Sequence, residues 1–366
     1  MMRPNSEPIN TSTCVLLVRV DGGVRIGSGH VMRCLALAQA WQERGGQALF
    51  AMGVSVPALE DRLQAEGMEV VHVGLDEKSL GSPEDTRRLL ALANERRPAW
   101  VVLDGYHFGP KYQSTIKEAG FKLLVVDDMA HHKHYYADIV LNQNLHAEDL
   151  RYSCEPYTRL LLGTKFVLLR REFWRWKGWK REIPRVARKV LVTLGGTDPD
   201  NVTLKVVQAL QQVDLGGMEA VVIVGGANPH LEELRRAVQG SRIPVRLKSN
   251  VSNMAELMAW ADVAISAGGS TCWELAFMGV PSILLILAEN QRLIAEQIDH
   301  AGAAVNLGWH ADLSFAEIVE ALTRLLLEER LRAGMAKRAQ ELVDGNGVFA
   351  TFKELSSHQP SVCGTI

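Results

Sequence analysis

Long hydrophobic runs are missing from this sequence of 366 residues. No apolar stretch approaches the roughly 18 residues that a membrane-spanning helix needs. The residues up to Thr13 are polar, and the short apolar run that follows is broken by Arg19, which makes a poor signal peptide. We therefore expect a protein without stable membrane insertion.

Cysteine is scarce, and its spacing excludes two classes of small scaffold. The cysteines form neither an even set nor a CxxC pair, which disfavours a disulfide framework and a zinc module. Reduced thiols are typical of the cytoplasm, so we expect a cytoplasmic protein. The five residues are Cys14, Cys34, Cys154, Cys272 and Cys363.

An excess of one charge is missing as well. Forty basic residues stand against 42 acidic ones, which leaves a formal net charge of -2. No global basic field is available to attract nucleic acid or an anionic membrane, so neither is expected as a partner. Hydrophobic residues make up 47% of the chain, enough for a full core. At roughly 150 residues per domain, the length indicates about two domains.

Short apolar runs alternate with amphipathic stretches through the first half. The runs are rich in Val and Leu without a polar alternation, which predicts strands of a parallel sheet covered on both faces. The predicted strands are 14–20, 48–52, 70–73, 100–103, 123–126 and 139–141, and the predicted helices are 30–44, 83–96 and 111–119.

The same alternation starts again in the second half. Strands are predicted at 190–194, 221–224, 245–247, 263–266 and 283–287, and helices at 203–211, 230–239, 254–260 and 271–278, followed by helical residues from 315 to about 343 and a short piece near 352–355. We predict an α/β fold of two doubly wound, Rossmann-like parallel-sheet domains that face a cleft. The predicted boundaries are 14–170 and 189–345 for the domains, 171–188 for the connection and 346–366 for a C-terminal tail.

Ligands of open parallel sheets bind at the carboxyl ends of the strands, so the loops after the strands should hold the chemistry. The first such loop runs from Asp21 to His30. It has Gly27 and Gly29, but Met32 stands where a dinucleotide fingerprint has its third glycine. His30 opens a predicted helix, whose dipole favours a neutral imidazole that can accept a proton. The alternative is a tight turn with an incidental histidine.

The loop after the first strand of the second half contains two glycines that give a phosphate close access to the backbone. These are Gly195 and Gly196, with Thr197 as the more exposed neighbour. Asp198 or Asn201 would then cap the following helix, a common structural role.

The richest loop is 266–274, where Gly268 and Gly269 precede Ser270 and Thr271 at a helix start. Hydroxyls and free amide groups at such a position form a cradle for pyrophosphate. Glu274 lies one helical turn further on. It either accepts hydrogen bonds from ribose hydroxyls or completes a capping box with Thr271.

The loop 288–291 offers two amides, Asn290 and Gln291, that can bind a sugar without adding charge. Helix capping by Asn290 is an equal alternative. No metal site is expected, since Asp127 and Asp128 are adjacent and would point apart on a strand. The histidines of 131–134 are interpreted as a solvated loop, and the aromatic residues of 173–179 as inter-domain packing.

Together these loops resemble one known family. The motifs are Asp21 with 26–35 (Ile-Gly-Ser-Gly-His-Val-Met-Arg-Cys-Leu), 103–106, 127–128, 141–144, 162–170, 194–198, 253–254, 267–271 with Glu274, and 290–291. They are similar to the UDP-2,4-diacetamido-2,4,6-trideoxy-β-L-altropyranose hydrolases of pseudaminic acid biosynthesis. The second half also resembles the glycosyltransferase that adds N-acetylglucosamine in peptidoglycan synthesis, a protein with the GT-B fold.

The resemblance implies a GT-B fold and a UDP-sugar substrate. It implies hydrolysis at the anomeric carbon with inversion, which releases UDP and a free sugar, with His30 as general base and without metal or cofactor. It implies that Val251 lines the uracil and Glu274 binds the ribose. The expected sugar-binding residues are Asp21, Gly29, Arg33, Tyr106, Asn290 and Gln291. The alternatives are a UDP-sugar-dependent glycosyltransferase of the same fold and a non-catalytic nucleotide-sugar-binding protein.

Overall fold

The apolar runs of the first half form a seven-stranded parallel sheet in a computed structural model, which describes residues 14–23, 26–226 and 228–357. The strands are β1 (Val15–Val20), β2 (Gln47–Met52), β3 (Glu69–His72), β4 (Trp100–Asp104), β5 (Leu123–Val126), β6 (Ile139–Asn142) and β7 (Arg159–Leu162). The helices are α1 (Gly29–Gln42), α2 (Pro57–Ala65), α3 (Pro83–Arg96), α4 (Pro110–Glu118) and α5 (Arg171–Trp174).

The second half repeats this architecture with six parallel strands. They are β8 (Lys189–Thr193), β9 (Glu219–Val224), β10 (Val245–Ser249), β11 (Val263–Ala267), β12 (Ser282–Ile286) and β13 (Val305–Trp309). The helices are α6 (Val202–Leu210), α7 (Leu231–Val238), α8 (Met254–Trp260), α9 (Thr271–Phe277), α10 (Glu289–His300), α11 (Phe315–Leu327), α12 (Glu329–Leu342) and α13 (Gly347–Ser357).

The strand order of each sheet reverses once, and the reversal positions the site. The orders are β3-β2-β1-β4-β5-β6-β7 and β10-β9-β8-β11-β12-β13. Chain connections therefore leave in opposite directions from β1 and β4, and again from β8 and β11. A crevice opens at the carboxyl ends of the strands where such a reversal occurs. The predicted fold of two doubly wound parallel-sheet domains is confirmed.

Five elements have no range in the sequence prediction: α2, α5, β7, α10 and β13. The run of β7 lies at a sheet edge and is half exposed, and β13 contains Asn306 and Gly308 within its apolar pattern. Weak hydrophobic periodicity of this kind does not separate a strand from a loop. The helix α2 begins with Pro57 and buries only Leu63 among its residues, so its pattern is equally weak.

The end of the described chain returns to the first domain. The short helical piece predicted near 352–355 is the eleven-residue helix α13. Its Val348, Phe352 and Leu355 are buried in the core that α1 shares with the first sheet. In the connection, Trp174 packs on Phe349 of the same helix, with ring centroids 4.9 Å apart. The domain connection and α13 therefore pack against each other.

The structure describes only part of the residues behind two sequence predictions, the reduced cysteines and the polar chain ends. Cys34, Cys154 and Cys272 are free thiols, whereas Cys363 lies outside the described residues. The polar residues up to Thr13 and the last residues of the predicted tail, 358–366, also lie outside them. Among the helices that the structure describes, none is long and apolar enough to cross a bilayer.

Candidate functional site

A cleft of about 430 Å³ lies between the facing edges of the two sheets. The loops after β1 and β4 line it from the first domain, and the loops after β8, β11 and β12 line it from the second. Most residues predicted for the site meet in this cleft. They are Gly29, His30, Arg33, Tyr106, Gly195, Gly196, Thr197, Gly269, Ser270, Thr271, Glu274, Asn290 and Gln291.

His30 lies in the first turn of α1 and is held by a buried carboxylate. Its Nδ1 is 2.6 Å from Oδ1 of Asp104, the last residue of β4. The preceding loop is also the tight turn of the alternative interpretation, because Gly23 and Gly27 exchange two backbone hydrogen bonds. The histidine is not incidental to that turn, since the adjacent strand supplies its partner.

The surroundings of Asp104 keep it ionised. Arg33 donates two hydrogen bonds to it, of 2.6 and 2.7 Å, and the Cys34 thiol lies 3.4 Å away. Burial raises the pKa of Asp104, but the charge of Arg33 and the hydrogen bonds from Arg33 and His30 outweigh burial and hold the pKa far below its ordinary value. An ionised carboxylate can only accept, so Nδ1 of His30 carries the hydrogen. The lone pair of the neutral ring is then on Nε2.

Tyr106 joins the imidazole to the second domain. Its ring meets the His30 ring edge-on, with centroids 5.2 Å apart. Its hydroxyl donates to Asp128 over 3.0 Å and accepts from Nδ2 of Asn290 over 3.1 Å. Asn290 therefore bridges the domains. Within the described chain no side chain caps α10, and Oε1 of Gln291 accepts from the amide of Leu287 ahead of the helix. The capping alternative for Asn290 is wrong.

The glycine loop after β8 approaches the first domain closely. A Cβ on Gly196 would lie 2.7 Å from Oγ of Ser28, so a larger residue there would require the Ser28 side chain to move. Asp198 caps α6, because its carboxylate accepts from the amides of Val202 and Thr203 at 2.9 and 2.8 Å. The structural interpretation of Asp198 is thus confirmed. Thr197 lines the cleft but is itself buried.

Glu274 points to the domain connection and not to the start of its own helix. Its Oε1 accepts from Nε and Nη2 of Arg170, at 3.0 and 2.8 Å. The residue before α9 is Ser270, whose side chain forms no capping hydrogen bond with the described chain. The capping-box alternative for Thr271 and Glu274 is therefore wrong, and the pair of Arg170 and Glu274 spans the two halves of the molecule.

Three residues predicted for the site lie outside the cleft lining. A Cβ on Gly268 would lie 2.9 Å from the carbonyl oxygen of Gln291, so this glycine permits packing of α10 behind the loop. Val251 packs at the margin of the second domain's core. Asp21 is buried below the cleft, where Oδ1 accepts from the Gly53 amide over 2.7 Å. The sequence prediction that Asp21 contacts the sugar directly is therefore corrected. Asp21 is buried, and both of its carboxylate oxygens already accept hydrogen bonds from protein groups.

Sequence reasoning gave no role to four residues of the site. These are Asp104, Asp128, Arg170 and His107, all of which lie at the cleft or contact its residues. Asp104 and Asp128 follow predicted strands and lie in motifs that carry the family resemblance. His107 lies just after the first of these motifs, and Arg170 ends the motif 162–170. These positions were the available signal, and the partners of the four residues became visible only in three dimensions.

The acidic and histidine-rich segments do not converge on one point. Asp127 accepts from the amides of Met129 and Ala130, whereas Asp128 faces the cleft. His131 pairs with Asp127 and His134 with Glu155. Among the described residues, no cluster of three or more His, Cys, Asp or Glu could hold a metal ion.

Two Rossmann-like parallel-sheet domains that face one cleft define the GT-B class, and the chain has this fold. The crystal structure of Acinetobacter baumannii MurG is similar, with a TM-score of 0.65, 16% sequence identity and coverage of 94% of this chain and 99% of that chain. Residues 190–347, which span the second domain, match the glycosyltransferase family 28 C-terminal domain.

Curated relatives are similar over most of the chain. The spore coat polysaccharide biosynthesis protein SpsG of Bacillus subtilis is 26% identical, covering 90% of this chain and 94% of the relative. The UDP-2,4-diacetamido-2,4,6-trideoxy-beta-L-altropyranose hydrolase of Campylobacter jejuni is 25% identical, covering 79% and 98%. The uncharacterized protein MJ1062 of Methanocaldococcus jannaschii is 27% identical over 76% of this chain. The chain spans 56% of that relative's length.

Proposed function

We propose that this protein is an enzyme that acts on nucleotide sugars and hydrolyses a UDP-linked 2,4-diacetamido-2,4,6-trideoxy sugar at its anomeric carbon. The products are UDP and the free sugar, with inverted configuration. The observation that carries the proposal is the pair of His30 and Asp104 at the wall of an inter-domain cleft. The similarity to the Campylobacter jejuni hydrolase supports the same reaction.

In this proposal His30 is the general base. Asp104 holds Nδ1–H, so that the Nε2 lone pair can take a proton from a water molecule as the water attacks C1. No described residue forms a hydrogen bond with Nε2, and His30 lines the cleft. A buried carboxylate that fixes the tautomer and orientation of an imidazole is a recurrent catalytic device.

The leaving group needs charge stabilisation more than it needs a proton, because UDP is a good leaving group. The amides of Gly269 and Ser270 donate to no described backbone carbonyl and lie at the cleft. Donors that are fixed in advance stabilise developing phosphate charge at low reorganisation cost. Glu274 would accept hydrogen bonds from the ribose, and the Arg170 cation beside it would reduce its repulsion by the phosphates.

A UDP-sugar-dependent glycosyltransferase is the second candidate. The observation that favours it is the match of residues 190–347 to a glycosyltransferase C-terminal domain. In that case an acceptor hydroxyl would replace water at the same position beside His30. The two candidates share the nucleotide side of the cleft and differ only in the nucleophile.

The release of UDP in the absence of any acceptor tests the proposal. Purified protein is incubated with the UDP-linked diacetamido sugar in buffer containing EDTA, and UDP and the anomer of the free sugar are measured. We expect catalytic UDP release and an inverted sugar, because water and the residues of the cleft suffice. The His30→Asn variant is the control for contaminating hydrolases. No release without acceptor, followed by release on addition of a sugar acceptor, would establish the transferase instead.

A further inference from the structure

A second carboxylate-imidazole pair lies beside the first. Val20 of β1 is the register partner of Asp104 of β4, so Asp21 follows at the same sheet edge. Nε2 of His107, in the loop after β4, is 3.2 Å from Oδ2 of Asp21. The two pairs cross, since His30 follows β1 and binds Asp104, whereas His107 follows β4 and binds Asp21. Both imidazoles line the cleft.

The partner of His107 is an ionised carboxylate. Asp21 is buried and accepts from Nη1 of Arg19 over 2.6 Å, and Arg19 is also paired with Asp85 over 2.8 Å. Burial by itself raises the pKa of Asp21, but the hydrogen bond from His107 and the charge of Arg19 outweigh it and bring the pKa below its ordinary value. Asp21 is thus an acceptor only, which places the hydrogen of the neutral ring on Nε2.

The other nitrogen of this ring is available to a ligand. Within the described chain Nδ1 of His107 makes no hydrogen bond, and the His107 side chain is 23% exposed at the cleft. The ring is steadied by Phe108, with ring centroids 4.1 Å apart. A ring fixed on two sides presents one acceptor atom in a constant position, which is the requirement for reading a donor on a bound sugar.

We propose that His107 is a specificity-determining residue, whose Nδ1 accepts a hydrogen bond from an N–H or O–H group of the sugar in the cleft. Asp21 is then a positioning residue that acts through His107. This inference rests on the proposed function in one respect, since it takes the cleft as the site of a UDP-sugar. The inference also gives a role to the buried carboxylate of Asp21, which does not itself line the cleft.

The test compares the binding of UDP-sugar with the binding of UDP alone. Calorimetric titrations are made in a His30→Asn background, which prevents turnover. We expect His107→Phe to weaken binding of the UDP-linked diacetamido sugar by roughly 3- to 10-fold, the effect of losing one neutral hydrogen bond. Its affinity for UDP should stay within about two-fold, because UDP lacks the sugar.

Two further variants separate recognition from stability. His107→Asn keeps an acceptor oxygen near the position of Nδ1 and should restore most of the lost affinity. His134→Phe removes another carboxylate-paired imidazole, bound to Glu155 and outside the cleft lining, and should change neither affinity. Equal weakening of UDP and UDP-sugar by His107→Phe, or no weakening of either, would overturn the inference.

Failure of the proposed function would be recognised separately. It would be seen as absence of UDP release by the wild-type chain, whereas the titrations measure binding without turnover. A transferase that binds the same UDP-sugar would give the same titration results. The inference about His107 therefore stands or falls on the sugar-dependent difference in affinity alone.

Discussion

At the scale of single residues, the cleft is organised by buried carboxylates that bind cations and imidazoles at the same time. Asp104 accepts from His30, Arg33 and Cys34 together. Leaving such a group buried and unpaired would cost several kcal/mol, so all of its partners have to be present. The arrangement fixes the direction of the His30 ring before any substrate arrives.

The residue on which the proposed mechanism depends is His30. Replacement by Asn should lower kcat by about 10²- to 10⁴-fold, because removal of a general base has effects of this size. KM should change far less, since the interaction is used chiefly in the transition state. Steady-state kinetics and UDP titration measure both effects.

A near-normal kcat of His30→Asn would make the histidine structural. Asp21, a carboxylate of the same loop, would not easily replace it as a base, since its oxygens accept from Gly53 and Arg19. UDP affinity is the internal control. It should stay within a few-fold of wild type, because the proposed nucleotide contacts come mainly from the second domain.

At the scale of elements, two helix starts with similar sequences serve different purposes. At α11, Ser314 and Glu317 form a true capping box, with hydrogen bonds in both directions. At α9, Thr271 and Glu274 have the same spacing, but the glutamate binds Arg170. The difference arises because Arg170, the residue before the domain connection, is buried beside α9 and offers its cation to Glu274.

This contrast predicts opposite effects of two substitutions. Glu274→Ala should weaken UDP binding by about 1.5–3 kcal/mol, the range for a hydrogen bond to a charged group. Its melting temperature should change little. Ser314→Ala should lower the free energy of unfolding by about 1 kcal/mol, the cost of a lost cap, and leave UDP affinity unchanged. Titration calorimetry with UDP measures the affinity of both variants, and thermal melts measure their stability. Unchanged UDP affinity in Glu274→Ala would remove this residue from the nucleotide site.

At the scale of the whole molecule, the chain crosses between the domains and then closes back on itself. After the second domain, α13 returns to the first and packs on α1. The ring of Phe352 lies 5.5 Å from that of Trp41 and under the guanidinium of Arg44 at 4.1 Å. The first domain therefore depends on residues more than 300 positions away in sequence.

Phe352→Ala tests this dependence. The free energy of unfolding should fall by about 3–5 kcal/mol, the usual cost of truncating a buried phenylalanine. Lys353→Ala, on the exposed side of the same helix, is the matched control and should change stability by less than about 0.5 kcal/mol. Urea unfolding measures both. Equal stability of the two variants would mean that α13 is dispensable to the first domain.

The sequence by itself determined the strands of both sheets other than β7 and β13, and the loops that form the cleft. Continuous Val and Leu runs indicate burial on both faces, which is typical of parallel strands covered by helices. Glycines and polar residues after those runs located the cleft, including His30 and the segment from Gly269 to Glu274. The domain boundaries and the residue roles remain predictions that the experiments above address.

Only the tertiary structure decided which side chains meet. The pairs His30 with Asp104, His107 with Asp21 and Glu274 with Arg170 join residues that are 74, 86 and 104 positions apart. Local pattern carries no information on such pairs, because strand order and the domain connection determine them. For the same reason Thr271 and Glu274 match a capping box in sequence and do not form one. A buried cation competes with the helix start for the carboxylate, and the charged partner gives the stronger hydrogen bond.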